Sequence, residues 1–225
     1  MSRDSQAIRR LVRALSPEHD DVQAEMAAYA ADRNFPIVGR EGGGALRLLA
    51  RLTDATRVFE FGSGFGYSAS WFARGAAPDA RFVLTERDAD ELAMAREFLG
   101  RAGVAERTEF CEGDALDAVE EHEGPFDVVL LDHDKPEYAA AFRSVRSKVA
   151  RGGVVVADNV TRGPADTAAL ARYAEGEPLS DADEQTRGIA AYLDAVAADP
   201  AFETTLLPVG NGLAVSVRTG RSGAE

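Results

Sequence analysis

Val58-Phe-Glu-Phe-Gly-Ser-Gly-Phe-Gly-Tyr67 is the stretch on which the fold turns. Its apolar front reads as a strand, Gly62, Gly64 and Gly66 as a tight turn, and residues 68–74 as a helix. Glycine backbone can approach a ligand closely, and the N-terminus of a helix presents free N–H groups. Further strand candidates lie at 57–61, 81–85, 108–111, 127–131 and 154–157, with helical stretches at 68–74, 89–101 and 136–149 between most of them. Val128-Val-Leu-Leu131 and Val154-Val-Val156 are apolar on both faces, as strands of a parallel sheet covered on both sides should be. Strand and helix repeated in this way predict a doubly wound, Rossmann-like α/β fold.

The two ends of the chain depart from that rhythm. Residues 202–209 and 213–218 flank Gly210-Asn-Gly212, and Asn-Gly between β-rich runs predicts a hairpin. Residues 5–15, 17–32 and 45–52 read as helices, with Arg33-Asn-Phe-Pro36 as a break and Gly42-Gly-Gly44 preceding the third. The expected organisation is one domain over 1–225, with a helical cap segment at 1–52, a core at 53–218 and a flexible tail at 219–225.

A chain of 225 residues with 45% hydrophobic content can bury a real core. No run approaches the roughly 18–20 apolar residues of a membrane helix, and the charged N-terminal stretch lacks a signal-peptide core. Cys111 is the single cysteine, so no internal disulfide can form. A soluble cytoplasmic protein is the expectation. The net charge is −13, and lysine occurs only at Lys135 and Lys148. Acidity with lysine depletion reads as adaptation to high internal salt, against ordinary acidic solubility. It also makes a lysine that survives within a polar cluster more informative.

The glycine loop alone is ambiguous, because Gly64, Gly66 and Ala69 also satisfy the dinucleotide pattern G-x-G-x-x-A. Its acidic neighbours favour S-adenosylmethionine. Glu60, inside the strand end, would repel a pyrophosphate but suits an ammonium. Glu86 ends the second strand, where an acid accepts ribose hydroxyls, and Asp114 in Gly113-Asp-Ala115 follows the third, within reach of an adenine amino group. Each acid alone could be solvated surface; three at consecutive strand ends form a site.

Asp132, at the end of the fourth strand, and Asp158-Asn159, at the end of the fifth, make a second constellation. On neighbouring strands about 4.8 Å apart their side chains converge. Three hard oxygen donors suit Mg²⁺ or another divalent cation, whereas Cys111 and the three histidines show no zinc-ligand spacing. Either aspartate alone could merely cap a helix. Lys135, three positions beyond Asp132, would be destabilised as an ammonium beside such a cation and so become available as a general base.

Together these residues resemble the metal-dependent catechol and caffeoyl-coenzyme A type O-methyltransferases. The resemblance runs from about Phe35 to Arg218 and is carried by Glu60-Phe-Gly-Ser-Gly-Phe-Gly-Tyr-Ser68, Glu86, Gly113-Asp-Ala115, Asp127 to Lys135 with Tyr138, Ala157-Asp-Asn-Val160 and Gly210-Asn-Gly-Leu213. It implies a seven-stranded sheet with the last strand antiparallel and an N-terminal helical cap over the substrate. It implies metal ligation by Asp132, Asp158 and Asn159, and proton abstraction by Lys135. The cofactor set becomes Glu60, Gly62, Ser63, Gly64, Gly66, Ser68, Glu86, Asp114, Ala115, Asp132 and His133, with His133 close to adenine. The implied partner is a small hydroxylated acceptor, with no nucleic acid and no membrane; oligomeric state, a homodimer included, stays open. Two positions depart from the family: Asn211 stands where Asp is usual, and Asp134 where the animal catechol enzymes carry Trp. Trp71 reads as core. The competing readings are a metal-independent methyltransferase acting on a macromolecule, an NAD-dependent oxidoreductase, and a nucleoside-binding protein without catalysis.

Overall fold

The computed structural model describes residues 3–220, so positions 221–225 of the expected tail lie outside the described residues. Seven strands form one sheet in the order β3-β2-β1-β4-β5-β7-β6. They are β1 (Arg57–Phe61), β2 (Arg81–Glu86), β3 (Thr108–Glu112), β4 (Phe126–Leu131), β5 (Val149–Ala157), β6 (Phe202–Leu207) and β7 (Leu213–Arg218). β1 to β5 run parallel, and β7 inserts antiparallel between β5 and β6. Strand order reverses between β2 and β4, on either side of β1, which opens a crevice at the carboxyl ends of these strands.

Alternation along the strands builds two cores. Phe59, Phe61, Val129, Leu131 and Val155 face one side, covered by Val119 of α6 (Ala115–Glu121), Phe142 of α7 (Tyr138–Val145) and Tyr192 of α9 (Glu184–Ala197). Val58, Phe82, Leu84, Val128 and Val156 face the other, under α2 (Asp21–Arg33), α3 (Gly39–Leu52), α4 (Tyr67–Ala73) and α5 (Ala89–Arg101). Each buried aliphatic or aromatic side chain contributes about 1.5–3 kcal/mol, so both faces must be covered and the strands read as continuously apolar. Trp71 is fully buried in the second core, as expected.

Boundaries differ from the sequence expectation where local chemistry overrides periodicity. Helix α2 starts at Asp21, because Asp20 caps it: its carboxylate accepts from Gln23 N, and Gln23 bonds back to the Asp20 N–H. Helix α3 begins at Gly39, so the three glycines lie inside it. They permit close approach, since a Cβ at Gly43 would strike the Trp71 ring. The stretch 136–149 is split into α7 between two 3₁₀ turns, the first carrying Pro136. Helices α6 and α8 (Thr167–Ala174) were not expected; aspartates cap both, Asp114 and Asp166. α1 (Arg3–Leu15) completes the cap.

Candidate active site

The crevice holds a cavity of about 440 Å³ at the carboxyl ends of β1, β2, β4 and β5. The glycine loop forms its floor. Gly62, Gly64 and Gly66 have φ of 78°, 48° and 84°, a region that side-chain-bearing residues seldom adopt. A Cβ at Gly62 would lie 2.8 Å from the Asp132 carbonyl oxygen, so glycine also lets the loops after β1 and β4 meet.

Glu60 is completely buried behind this loop and is not part of the cavity wall. Ser68, which does line the wall, donates to Glu60 Oε2 at 2.8 Å, while Oε1 has no partner. Burial pushes the Glu60 carboxyl up to about 8; the Ser68 bond opposes this, and Asp132 adds to it. Glu86 spans the loop instead. Its Oε2 accepts from Gly64 N at 2.9 Å, and its Oε1 from Arg87 N and Asp88 N at 2.7 and 3.0 Å.

Asp114 sits apart from the other acids. Its flanking residues Gly113 and Ala115 line the cavity, but its own carboxylate accepts from Leu116 N at 2.8 Å and from Arg87 at 2.8 Å. The Leu116 N–H, followed by Arg87, holds that carboxyl below the usual range. Arg87, which sequence reasoning missed, also reaches Asp134 and Glu137 at 3.1 Å each, joining the loops that follow β2, β3 and β4. No motif marks it, because its partners are distant in sequence.

His133 lies in the wall between Phe61 and Tyr138, its ring inclined by 30° to the first and 35° to the second, with centroids 5.4 and 5.2 Å away. Neither ring nitrogen has a partner. Burial, reinforced by Lys135 and Arg87, drives its pKa down to about 3, so the ring is neutral and keeps a donor and an acceptor for a ligand.

The second constellation assembles as its strand-end positions require. Leu131 pairs with Ala157 in the β4–β5 register, so Asp132 and Asp158 extend adjacent strands by one residue. Both carboxyls are raised, first by burial and, for Asp132, by Asp158 beside it. Asp158 Oδ1 is buried without a partner, and Asn159, at φ 63°, completes the group in the wall. Lys135 is 6% exposed; its Nζ donates to Asp132 Oδ1 at 3.2 Å, His133 O at 3.0 Å and Tyr138 Oη at 2.8 Å. Tyr138 Oη in turn donates to the Asp158 carbonyl at 3.3 Å.

Asn211 belongs to this group. From the β6–β7 hairpin its Nδ2 donates to Asp158 Oδ2 and to Ile37 O, each at 3.3 Å. An aspartate there would set a third carboxylate against Asp158, whereas the amide donates to it. The hairpin thereby fastens residues 35–38, which wall the cavity, to the strand ends. Phe35, Ile37, Tyr67 and Gln185 also line it and were not expected; the Phe-Pro break before α3 was the one hint.

A Rossmann-like sheet of order 3-2-1-4-5-7-6, with a glycine loop and acids at its switch point, defines the class I methyltransferase architecture. The O-methyltransferase family profile matches residues 15–219. A catechol O-methyltransferase of Mycobacterium tuberculosis is 41% identical over 138 residues, which cover 61% of this chain and 63% of that relative's length. The O-methyltransferase TomG of Streptomyces achromogenes, solved in complex with SAM, superposes with a TM-score of 0.81 at 28% identity, covering 98% of this chain and 100% of that one. An O-methyltransferase from Bacillus cereus in complex with SAH gives 0.81 at 27% identity, covering 94% and 97%. The chain belongs to the family of S-adenosylmethionine-dependent O-methyltransferases. Among the described residues no helix is long and apolar enough to cross a membrane.

Proposed function

We propose that this protein transfers the methyl group of S-adenosylmethionine to one hydroxyl of a small catechol-like or vicinal-hydroxyl acceptor, with Mg²⁺ or another divalent cation. The observation that carries the reading is the pairing of Asp132 and Asp158 beside one lysine and two asparagines, with a buried carboxylate oxygen left unpartnered. Two adjacent carboxylates held in a crevice repel each other, and a cation bound there would remove that cost. Asp132, Asp158 and Asn159 fit a hard cation by donor type. The donor site fits S-adenosylmethionine on similar grounds, through the unpartnered Glu60 Oε1 and His133 nitrogens and the cradle that a Cβ would fill.

When bound, the donor supplies an electrophilic methyl group and the cation supplies charge that acidifies an acceptor hydroxyl. The protein's own tasks are alignment and proton removal. Glu60, Gly62, Ser63, Gly64, Gly66 and Ser68 would hold the methionine end, Glu86 the ribose, and Asp114, Ala115 and His133 the adenine, with Asp132 between donor and metal. Lys135 Nζ would take the acceptor proton, while Tyr138 orients the amine and Asn211 holds Asp158 in place. Phe35, Ile37 and Tyr67 exclude water. The cap of 1–52 and the core of 53–218 act in this reading as one catalytic domain.

Chelation with EDTA should abolish methylation of a catechol by labelled S-adenosylmethionine, and added Mg²⁺ should restore it. Full activity in EDTA would exclude the metal-assisted mechanism. Calorimetry in high salt is expected to show S-adenosylmethionine binding and NAD failing to bind, since Glu86 in the cavity wall opposes a pyrophosphate. Tighter binding of NAD would transfer the glycine loop to the oxidoreductase reading.

A further inference from the structure

A second group of potential ligands lies on the edge strand. Glu109, Cys111 and His122 each offer one ligand atom, and the three atoms lie within 4.8 Å of one another. Glu109 and Cys111 are two apart on β3 and so share a face of the sheet; His122 follows α6, which packs on that face. No sequence spacing reveals the group. A strand residue and the end of the next helix are brought together by topology alone.

The histidine has its tautomer fixed. Nδ1 lies 2.7 Å from the Ala118 carbonyl, which can only accept, so Nδ1 carries the proton. In the neutral ring, Nε2 then aims a lone pair at Glu109 Oε1, 3.3 Å away. That pair can share a proton as an ion pair or, with the Cys111 sulfur beside it, hold a divalent cation. A tetrahedral zinc shell with bonds of about 2.0–2.3 Å sets its donors roughly 3.3–3.8 Å apart; the His122–Glu109 pair meets that spacing, and the Cys111 sulfur lies within 4.8 Å of both. A backbone carbonyl behind a ligating imidazole is the usual support of such a site, and Phe59 packs against the ring at 5.9 Å.

We propose that Glu109, Cys111 and His122 bind a borderline-soft divalent cation of the Zn²⁺ type, clamping the edge strand β3 to the end of α6. This site is separate from the oxygen-donor group, and its sulfur and nitrogen donors favour zinc or cobalt over magnesium. On binding, the Cys111 thiol gives its proton to solvent and the thiolate sulfur bonds the metal. The fourth position is left to water. Burial and the nearby Glu109 and Glu121 hold the free thiol up to about 11, so without metal it is protonated and unreactive.

Titrating the full chain with Co²⁺ in a large excess of Mg²⁺ tests the proposal, since magnesium competes only for the oxygen donors. One equivalent should bind with a thiolate-to-cobalt charge-transfer band in the near ultraviolet, release of a proton and displacement by Zn²⁺. Cys111→Ser should remove the band and His122→Gln should weaken binding at least tenfold, while Asp158→Ala leaves both intact. Circular dichroism of each variant reports whether it is folded, and zinc should raise the Tm of the wild type but not of Cys111→Ser. No charge-transfer band, or binding indifferent to His122→Gln, would overturn the site. A normal band in a protein that methylates no catechol would separate this inference from the methyltransferase reading.

Discussion

Replacing Lys135 by alanine is expected to lower turnover by roughly 10²–10⁴, the range of a lost general base. The side chain is buried and held by three acceptors, one of them the Asp132 carboxylate, so its nitrogen has a defined position beside the paired aspartates. Alanine alone does not distinguish proton transfer from charge neutralisation, because it also leaves Asp132 without its cation. Lys135→Arg makes that distinction. Arginine keeps the positive charge but does not deprotonate, so it should lose turnover almost as fully. In both variants calorimetric affinity for S-adenosylmethionine should stay near that of the wild type. An arginine variant with near-normal turnover would reduce Lys135 to a neutralising charge.

The sequence made the sheet legible because periodicity and burial speak together there. The Val128–Leu131 and Val154–Val156 runs are apolar on both faces, and only a doubly covered parallel sheet accommodates that. The hairpin at Gly210-Asn-Gly212 was equally plain, but its partner was not: nothing local says that β7 inserts beside β5 and leaves β6 at the edge. Strand-end chemistry survived for the same reason as the strands. Asp132 and Asp158 are fixed by register, one residue beyond a paired position.

What escaped sequence reading depends on side-chain direction or on long-range contact. Asp114 has the position expected of an adenine ligand, yet its carboxylate caps α6 and meets Arg87. Glu60 lies behind the cavity wall, with Ser68 between it and the open space. Asn211 looked like a departure from family pattern and is instead a donor to Asp158 from 53 residues away. Gly42-Gly-Gly44 was expected to precede the third helix and lies within it, because close packing, Gly43 against Trp71, outweighs the roughly 1 kcal/mol that each glycine costs a helix.

Glu60→Gln should weaken S-adenosylmethionine binding by roughly 10²–10³-fold and stabilise the ligand-free protein at the same time. The first effect follows from removing one member of a buried charge pair, a loss of about 3–5 kcal/mol when the other charge is left alone. The second follows from the raised carboxyl. Its ordinary value of 4.5 applies to the unfolded chain and about 8 to the folded one. Below pH 4.5 both states are protonated and the residue costs nothing. As pH rises towards 8 only the unfolded chain ionises, so the native state loses stability, and above 8 the loss is complete. Glutamine does not ionise and keeps its bond to Ser68. The ligand-free variant should therefore match the wild type near pH 4.5 and gain on it steadily, by about 3–10 °C in Tm at pH 8. Saturating S-adenosylmethionine should reverse that order, because only the wild type presents a carboxylate to the ammonium. Equal melting curves at pH 8 would remove the charge conflict at Glu60, and unchanged affinity would move the ammonium site elsewhere in the crevice.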